Sequence, residues 1–167
     1  AGNIIDFGAK NHDSINLEEE LNSFDLVVFE HYDIERFKDQ LKSALTLLYI
    51  CDNCGEIVFD KLFIEEILRE YPDLQITAAV RDRPIINDAT LIDAAFIGLD
   101  SVVKVISSGS QYPGTILPEA NELFRQLYFS SDIIISKGQG NFETLMPEAD
   151  ARLFFLLRIK CSYMAGL

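Results

Sequence analysis

The sequence predicts an α/β protein with a mostly parallel sheet, and two observations carry that prediction. From residue 45 onward, short apolar runs of strand length alternate with longer stretches of helical periodicity. Polar residues gather just after those runs, where the carboxyl ends of parallel strands face ligands. Alternating strands and helices make βαβ units with right-handed crossovers.

Before residue 45 the signals are mainly helical. "SINLEEELNSF" offers Ser14 as a cap and acidic residues in its early turns, and "DLVVFEHY" reads as a brief strand or turn. "DIERFKDQLKSA" is an amphipathic helix with Ile34, Phe37 and Leu41 on one face. The chain thus divides into a mainly helical segment, 1–44, and an α/β core, 45–167.

Within the core, "TLLYI" is a short strand apolar enough to be covered on both faces. "EIVFDKLFIEEILREY" is a helix of about four turns. "LQITAAV" is a second buried strand, and "DATLIDAAFIGL" a helix ending near Gly98. "SVVKVI" is the third strand. "LPEANELFRQLYF" is a helix with Pro118 near its start and Glu119 in its first turn. "DIIIS" is the fourth strand, followed by "KGQGN". "ARLFFLLRIKC" is strand or helix by periodicity alone.

Composition narrows the function. A chain of 167 residues is of single-domain length, and 49% apolar residues make it globular. No apolar run reaches the ~18 residues of a membrane helix, and "AGNIIDFGAK" has no signal-peptide pattern. The first residue is not Met and the opening reads as a helix interior, so a trimmed chain is expected. A net charge of -13 argues against binding nucleic acid through a general field. Anionic small substrates stay open, because a local cation or bound metal inverts the field in a cleft. Three cysteines, an odd number, suit a reduced cytoplasmic protein rather than a disulfide framework.

The stretch "YICDNCGE" nests two signals. Zinc would need four ligands, and beyond Cys51 and Cys54 only Cys161, His12 and His31 remain. A redox pair fits a helix start after a strand, but Asp52 and Glu56 oppose a thiolate. Cys51 and Cys54 are therefore read as small packing residues. Between them, Asp52 and Asn53 supply oxygen donors suited to Mg²⁺ or Mn²⁺, and Asp88 beyond the second strand completes a three-ligand set. The same residues could instead cap the helices that follow, and both roles can hold at once. "SKGQGN" lets backbone approach a ligand and offers N–H groups to an anion, with Lys137 as a point charge. No Walker A loop is present. A metal facing a lysine and a glycine loop points to phosphoryl transfer or hydrolysis.

In order along the chain, "DNCGE", "RDRPIINDAT", "GLDSVVKVISSGSQYPGT", "SKGQGNFETL" and "FFLLRIKC" resemble the successive blocks of the damage-control phosphatase family. Its members are metal-dependent phosphatases, long described as a domain of unknown function. Eukaryotic members were also described as acidic-residue methyltransferases. The resemblance, to archaeal and bacterial-type members, implies a three-layer Rossmann-like core with a divalent metal (Mn²⁺, Co²⁺, Ni²⁺ or Mg²⁺) at the carboxyl ends of the strands. Asp52, Asn53 and Asp88 match the metal ligands, Asp52 and Asp88 also being the catalytic carboxylates. Glu56 and Asn87 fall on the substrate side, and Lys137, Gly138, Gln139, Gly140, Asn141 and Glu143 match the substrate-phosphate loop. Lys160 matches a second substrate-side lysine. The implied partner is a small phosphorylated metabolite, such as a sugar phosphate or a phosphopantetheine-like or damaged compound, with neither nucleic acid nor membrane. The family's N-terminal helical subdomain is missing here, "AGNIIDFGAK" resembling the segment that follows it. Two other readings are an S-adenosylmethionine-dependent carboxyl methyltransferase and a non-catalytic domain binding metal and phosphometabolites.

Overall fold

The computed structural model describes residues 32–157. Its elements run α1 (Ile34–Leu41), β1 (Thr46–Ile50), α2 (Ile57–Glu70), β2 (Gln75–Val80), α3 (Leu91–Phe96), β3 (Lys104–Ser107), α4 (Glu122–Ser130), β4 (Ile133–Lys137), α5 (Gln139–Leu145) and β5 (Leu153–Leu156). Single 3₁₀ turns lie at Leu99–Ser101, Leu117–Glu119 and Met146–Glu148. The helix and strand expected before Tyr32, and Lys160 and Cys161, lie outside the described residues.

All five strands are parallel, in the order β3-β2-β1-β4-β5. Leu47 of β1 registers with Ile76 on one side and Ile133 on the other. The chain winds outward from β1 to β3, then returns to β1's other edge. That reversal, between β1 and β4, opens a crevice at their carboxyl ends.

Side-chain alternation along each strand builds a core on both faces. Leu47 and Tyr49 join Ile57, Ile64 and Ile67 of α2, with α1 and α3, in one buried cluster. Leu48 and Ile50 join Phe124 and Tyr128 of α4 and Leu145 of α5 in the other. Each such side chain, fully buried, contributes about 1.5–3 kcal/mol. The result is the expected three-layer α/β architecture.

Several elements differ in detail from their expected outlines. The segment 117–129 is not one helix. Pro118 and Glu119 belong to a 3₁₀ turn, and α4 starts anew because the Asn121 side chain accepts from the Phe124 N–H at 2.8 Å. The ambiguous last element is a strand, since Ile134–Lys137 offers a parallel edge to Leu153–Leu156. α1 precedes the boundary placed at residue 45 yet buries Phe37 and Leu41 in the core. Its Arg36 guanidinium lies 3.9 Å from the centroid of the Phe154 ring. At the opposite end from the crevice, the Asp132 carboxylate accepts from the Leu45 and Thr46 N–H groups and the Thr46 hydroxyl, each at 2.9 Å. Among the described residues no helix is long and apolar enough to cross a membrane.

Candidate functional site

The crevice collects the polar residues that follow β1, β2 and β4. Asp52 leaves the end of β1, and Gly138 leaves β4 with φ +80°. A Cβ at Gly138 would fall inside the Asp52 carboxylate, so the absence of a side chain there seats Asp52 against the β4–α5 turn. Burial pushes the Asp52 carboxyl up to about 7, helped by the negative charges of Asp88 and Glu56 and opposed by Arg81 and Lys137.

The loop after β2 doubles back onto the loop after β1. Asn53 and Asp88 form an isolated antiparallel bridge, the Ala89 N–H donates to the Asp52 carbonyl at 2.8 Å, and Cys54 N–H donates to the Asn87 carbonyl at 2.8 Å. Ile86 makes the reversal with φ +52° while 81% exposed. Asp88 thereby arrives beside Asp52. It is free of capping duty, because Thr90 and Asp93 close the start of α3 instead.

Arg81 ties this corner together. Its side chain is 2% exposed and donates through Nε to Asp88 at 2.7 Å, through Nη1 to Thr115 at 3.1 Å and through Nη2 to Asn141 at 2.9 Å. Asn141 is fully enclosed. Its Oδ1 also accepts from the Thr115 hydroxyl, while its Nδ2 donates to the Lys137 carbonyl. The Asn141 side chain therefore locks the loop from within.

A second buried network lies under the other wall. The Lys137 ammonium donates to Glu56 at 2.8 Å and to Asp60 at 2.7 Å, and Tyr49 donates its hydroxyl to the same Asp60 oxygen at 2.8 Å. Burial pulls the Lys137 pKa down, but Asp60 and Glu56 outweigh it and hold the ammonium above its ordinary range. Burial likewise raises Asp60, against the pull of Lys137 and Tyr49. Glu56, expected on the substrate side, is enclosed as this lysine's partner.

Asn53, expected as a metal ligand or a helix cap, accepts from the Gly55 and Glu56 N–H groups through Oδ1, at 3.1 and 2.9 Å, and so closes the turn that leads into α2, whose own first turn has no side-chain cap. Its Nδ2 is buried without a partner. It would ligate through oxygen only by giving up those two bonds. Cys51 packs as expected, and burial drives its thiol well up, with Asp60 adding to the effect. Cys54 does not pack: where the chain turns inward to seat Asn53, the next side chain is left exposed. Glu143 is on the exposed face of α5, accepting from Gln139 at 2.7 Å. Gly140 sits in the first turn of the same helix.

Arg81, Asp60, Tyr49 and Thr115 are the residues that sequence reasoning did not assign to the site. Asp60 carried a signal: it occupies the buried stripe of α2 with Ile57, Ile64 and Ile67, where a carboxylate requires a partner. Among the described residues, Asp52, Asp88, Glu56 and Asp60 stand with Arg81 and Lys137 in these two networks. Acidic groups thus outnumber basic ones there, and they add to the burial that raises the Asp52 carboxyl to about 7. Hard carboxylate oxygens are the donors that divalent cations take, but among the described residues no group of three or more His, Cys, Asp or Glu side chains is placed to hold a metal ion.

A doubly wound parallel sheet with acidic side chains gathered at its switch point is an α/β fold of the class that takes ligands at that point. Comparison with known proteins makes this specific: the chain belongs to the damage-control phosphatase ARMT1-like domain family, whose model matches residues 1–167. An uncharacterized protein of Methanocaldococcus jannaschii is 41% identical over 99% of this chain and 55% of its own length. A damage-control phosphatase of Pyrococcus horikoshii is 40% identical over 98% of this chain and 56% of its own. A damage-control phosphatase of Archaeoglobus fulgidus is 35% identical over 98% and 57% respectively. The crystal structure of a DUF89 family protein from Pyrococcus horikoshii superposes with a TM-score of 0.88, covering 99% of this chain and 57% of that one. The chain thus spans little more than half the length of these relatives.

Proposed function

We propose that this chain forms the catalytic core of a divalent-metal-dependent phosphatase acting on small phosphate monoesters, such as sugar phosphates or phosphopantetheine-like and damaged metabolites. The observation that carries the reading is the gathering of acidic side chains at the switch point, where Asp88 stands close enough to Asp52 to raise its carboxyl. Two relatives named damage-control phosphatase support it. Asp52 and Asp88, with Asn53 next to them, would hold Mn²⁺, Co²⁺, Ni²⁺ or Mg²⁺, which when bound supplies Lewis-acid polarisation of the phosphoryl group.

The chain's own residues do the rest. Lys137 and the backbone from Gly138 to Asn141 offset charge on the phosphate oxygens. Asp52, not engaged in an ion pair, either deprotonates an attacking water or attacks phosphorus itself. Arg81 orients Asp88 through its Nε–H. Neither of the two described cysteines is in a disulfide, which suits a cytoplasmic setting.

A matrix of divalent ions against a panel of phosphate esters tests the proposal, with inorganic phosphate release and metal binding both measured. Phosphate release should vanish with chelator and return with metal, and Asp52→Ala or Asp88→Ala should abolish both release and tight metal binding. Metal binding that survives both substitutions would place the site elsewhere. Phosphate release indifferent to chelator would remove the metal from the reaction.

A further inference from the structure

Lys137 is held by more negative charge than it needs. One carboxylate neutralises one ammonium, yet both Glu56 and Asp60 bond to it, with side chains 4% and 3% exposed. Asp60 takes Lys137 and Tyr49 on the same oxygen, and its other oxygen is buried without a partner. As a device for stability this is poor, since enclosing the extra charge and the orphaned oxygen is costly and a buried ion pair returns little. As a device for aiming a cation it is well built. The strand ends at Lys137, the rigid Tyr49 ring on neighbouring β1 fixes Asp60 from below, and Glu56 fixes the ammonium from the side. An ammonium has three N–H donors. Two end on carboxylates, and Lys137, its side chain 12% exposed, stands at the carboxyl end of β4 immediately before Gly138, against which the Asp52 carboxylate lies.

We propose that Asp60 is a positioning residue: braced by Tyr49, it holds Lys137 charged and aimed so that its one free N–H meets a phosphate oxygen of the substrate. Asp60 itself touches no substrate. The inference rests on the phosphate-binding reading of the cleft given above, and adds the residue through which the lysine acts.

The test is a double-mutant cycle read by titration calorimetry of inorganic phosphate in the presence of Mn²⁺. Asp60→Asn should weaken phosphate binding at least tenfold in the otherwise native chain, but no more than twofold in a Lys137→Gln background, because its effect passes through the lysine. Tyr49→Phe should weaken binding about threefold, and that loss should vanish once Asp60 is Asn. This second cycle removes a single oxygen and carries the test if Lys137→Gln does not fold. A merely structural Asp60 would lower thermal stability while its effects on phosphate affinity stayed additive, and that outcome overturns the proposal. A spectroscopic measurement separates this idea from the phosphatase reading itself. In ¹⁵N NMR the Lys137 ammonium should give a slowly exchanging signal at neutral pH that is lost in Asp60→Asn. Wild type failing to bind phosphate would sink the functional reading. An ammonium signal unchanged in Asp60→Asn would sink the positioning role independently.

Discussion

Gly138→Ala probes the contact between the two walls of the cleft. Gly138 sits at φ +80° and ψ 164°, a region nearly closed to residues with a Cβ. Forcing alanine into it costs about 1–3 kcal/mol before any collision is counted. The new methyl would also occupy the place of the Asp52 carboxylate, which has to swing away. Gly98→Ala is the matched control. Gly98 has φ +69°, but the nearest atom to an added Cβ is Ser101 Oγ at 3.6 Å, an ordinary contact. Both variants should melt several degrees below wild type, at roughly 2–4 °C per kcal/mol for a chain of this size. Only Gly138→Ala should also weaken divalent-metal binding, by tenfold or more, equivalent to about 1.4 kcal/mol. Thermal melting and titration calorimetry with Mn²⁺ read the two effects separately. A folded Gly138→Ala protein binding Mn²⁺ within twofold of wild type would refute the reasoning.

Two further predictions concern stability. Ile86 is β-branched, exposed and left-handed at φ +52°, so Ile86→Gly relieves backbone strain of about 1–2 kcal/mol. Against glycine's greater unfolded-state entropy, of about 0.5–1 kcal/mol, the net gain should be about 0.5–1 kcal/mol. Urea unfolding checks it, and a lower midpoint would show the turn to be unstrained. The backbone N–H of Leu45 and the Thr46 hydroxyl hold the Asp132 carboxyl below its usual range. A depressed folded-state pKa stabilises above the ordinary carboxylate value of about 3.9 and is lost as pH falls through the folded value. Asp132→Asn should therefore be less stable than wild type at pH 7, with the gap closing below about pH 4. Equal midpoints at pH 7 would mean that the three bonds contribute nothing.

The strands were legible because β1, β2 and β4 carry short, nearly continuous apolar runs, such as 47–50 and 133–135, which a sheet covered on both faces requires. Helix ends were less so. In "LPEANELFRQLYF" the proline suggested a start, whereas Asn121, three residues on, has the side chain that satisfies the α4 N–H groups. The first-row residues of the site, Asp52, Asn53, Asp88 and Lys137, stood out because they follow strands. What they do inside the cleft was not readable. That Lys137 is already paired depends on Asp60 reaching it across the space between α2 and β4. Arg81 looked like any charged residue after a strand, and its burial is created by Thr115 and Asn141, distant in sequence. Such long-range pairings leave no local trace.

The return of β4 to the open edge of β1 has a consequence for assembly. β1, β2 and β3 pair in sequence order, each with its neighbour along the chain, whereas Leu47 must wait for Ile133. Contacts of such separation close late, because the loop entropy is lost before the pairing repays it. Asp52 and Lys137 meet only at that final closure, so a ligand held by both walls recognises the finished sheet alone. Each such ligand then acts as a latch on β4 against β1, raising stability in proportion to the logarithm of its concentration over its Kd.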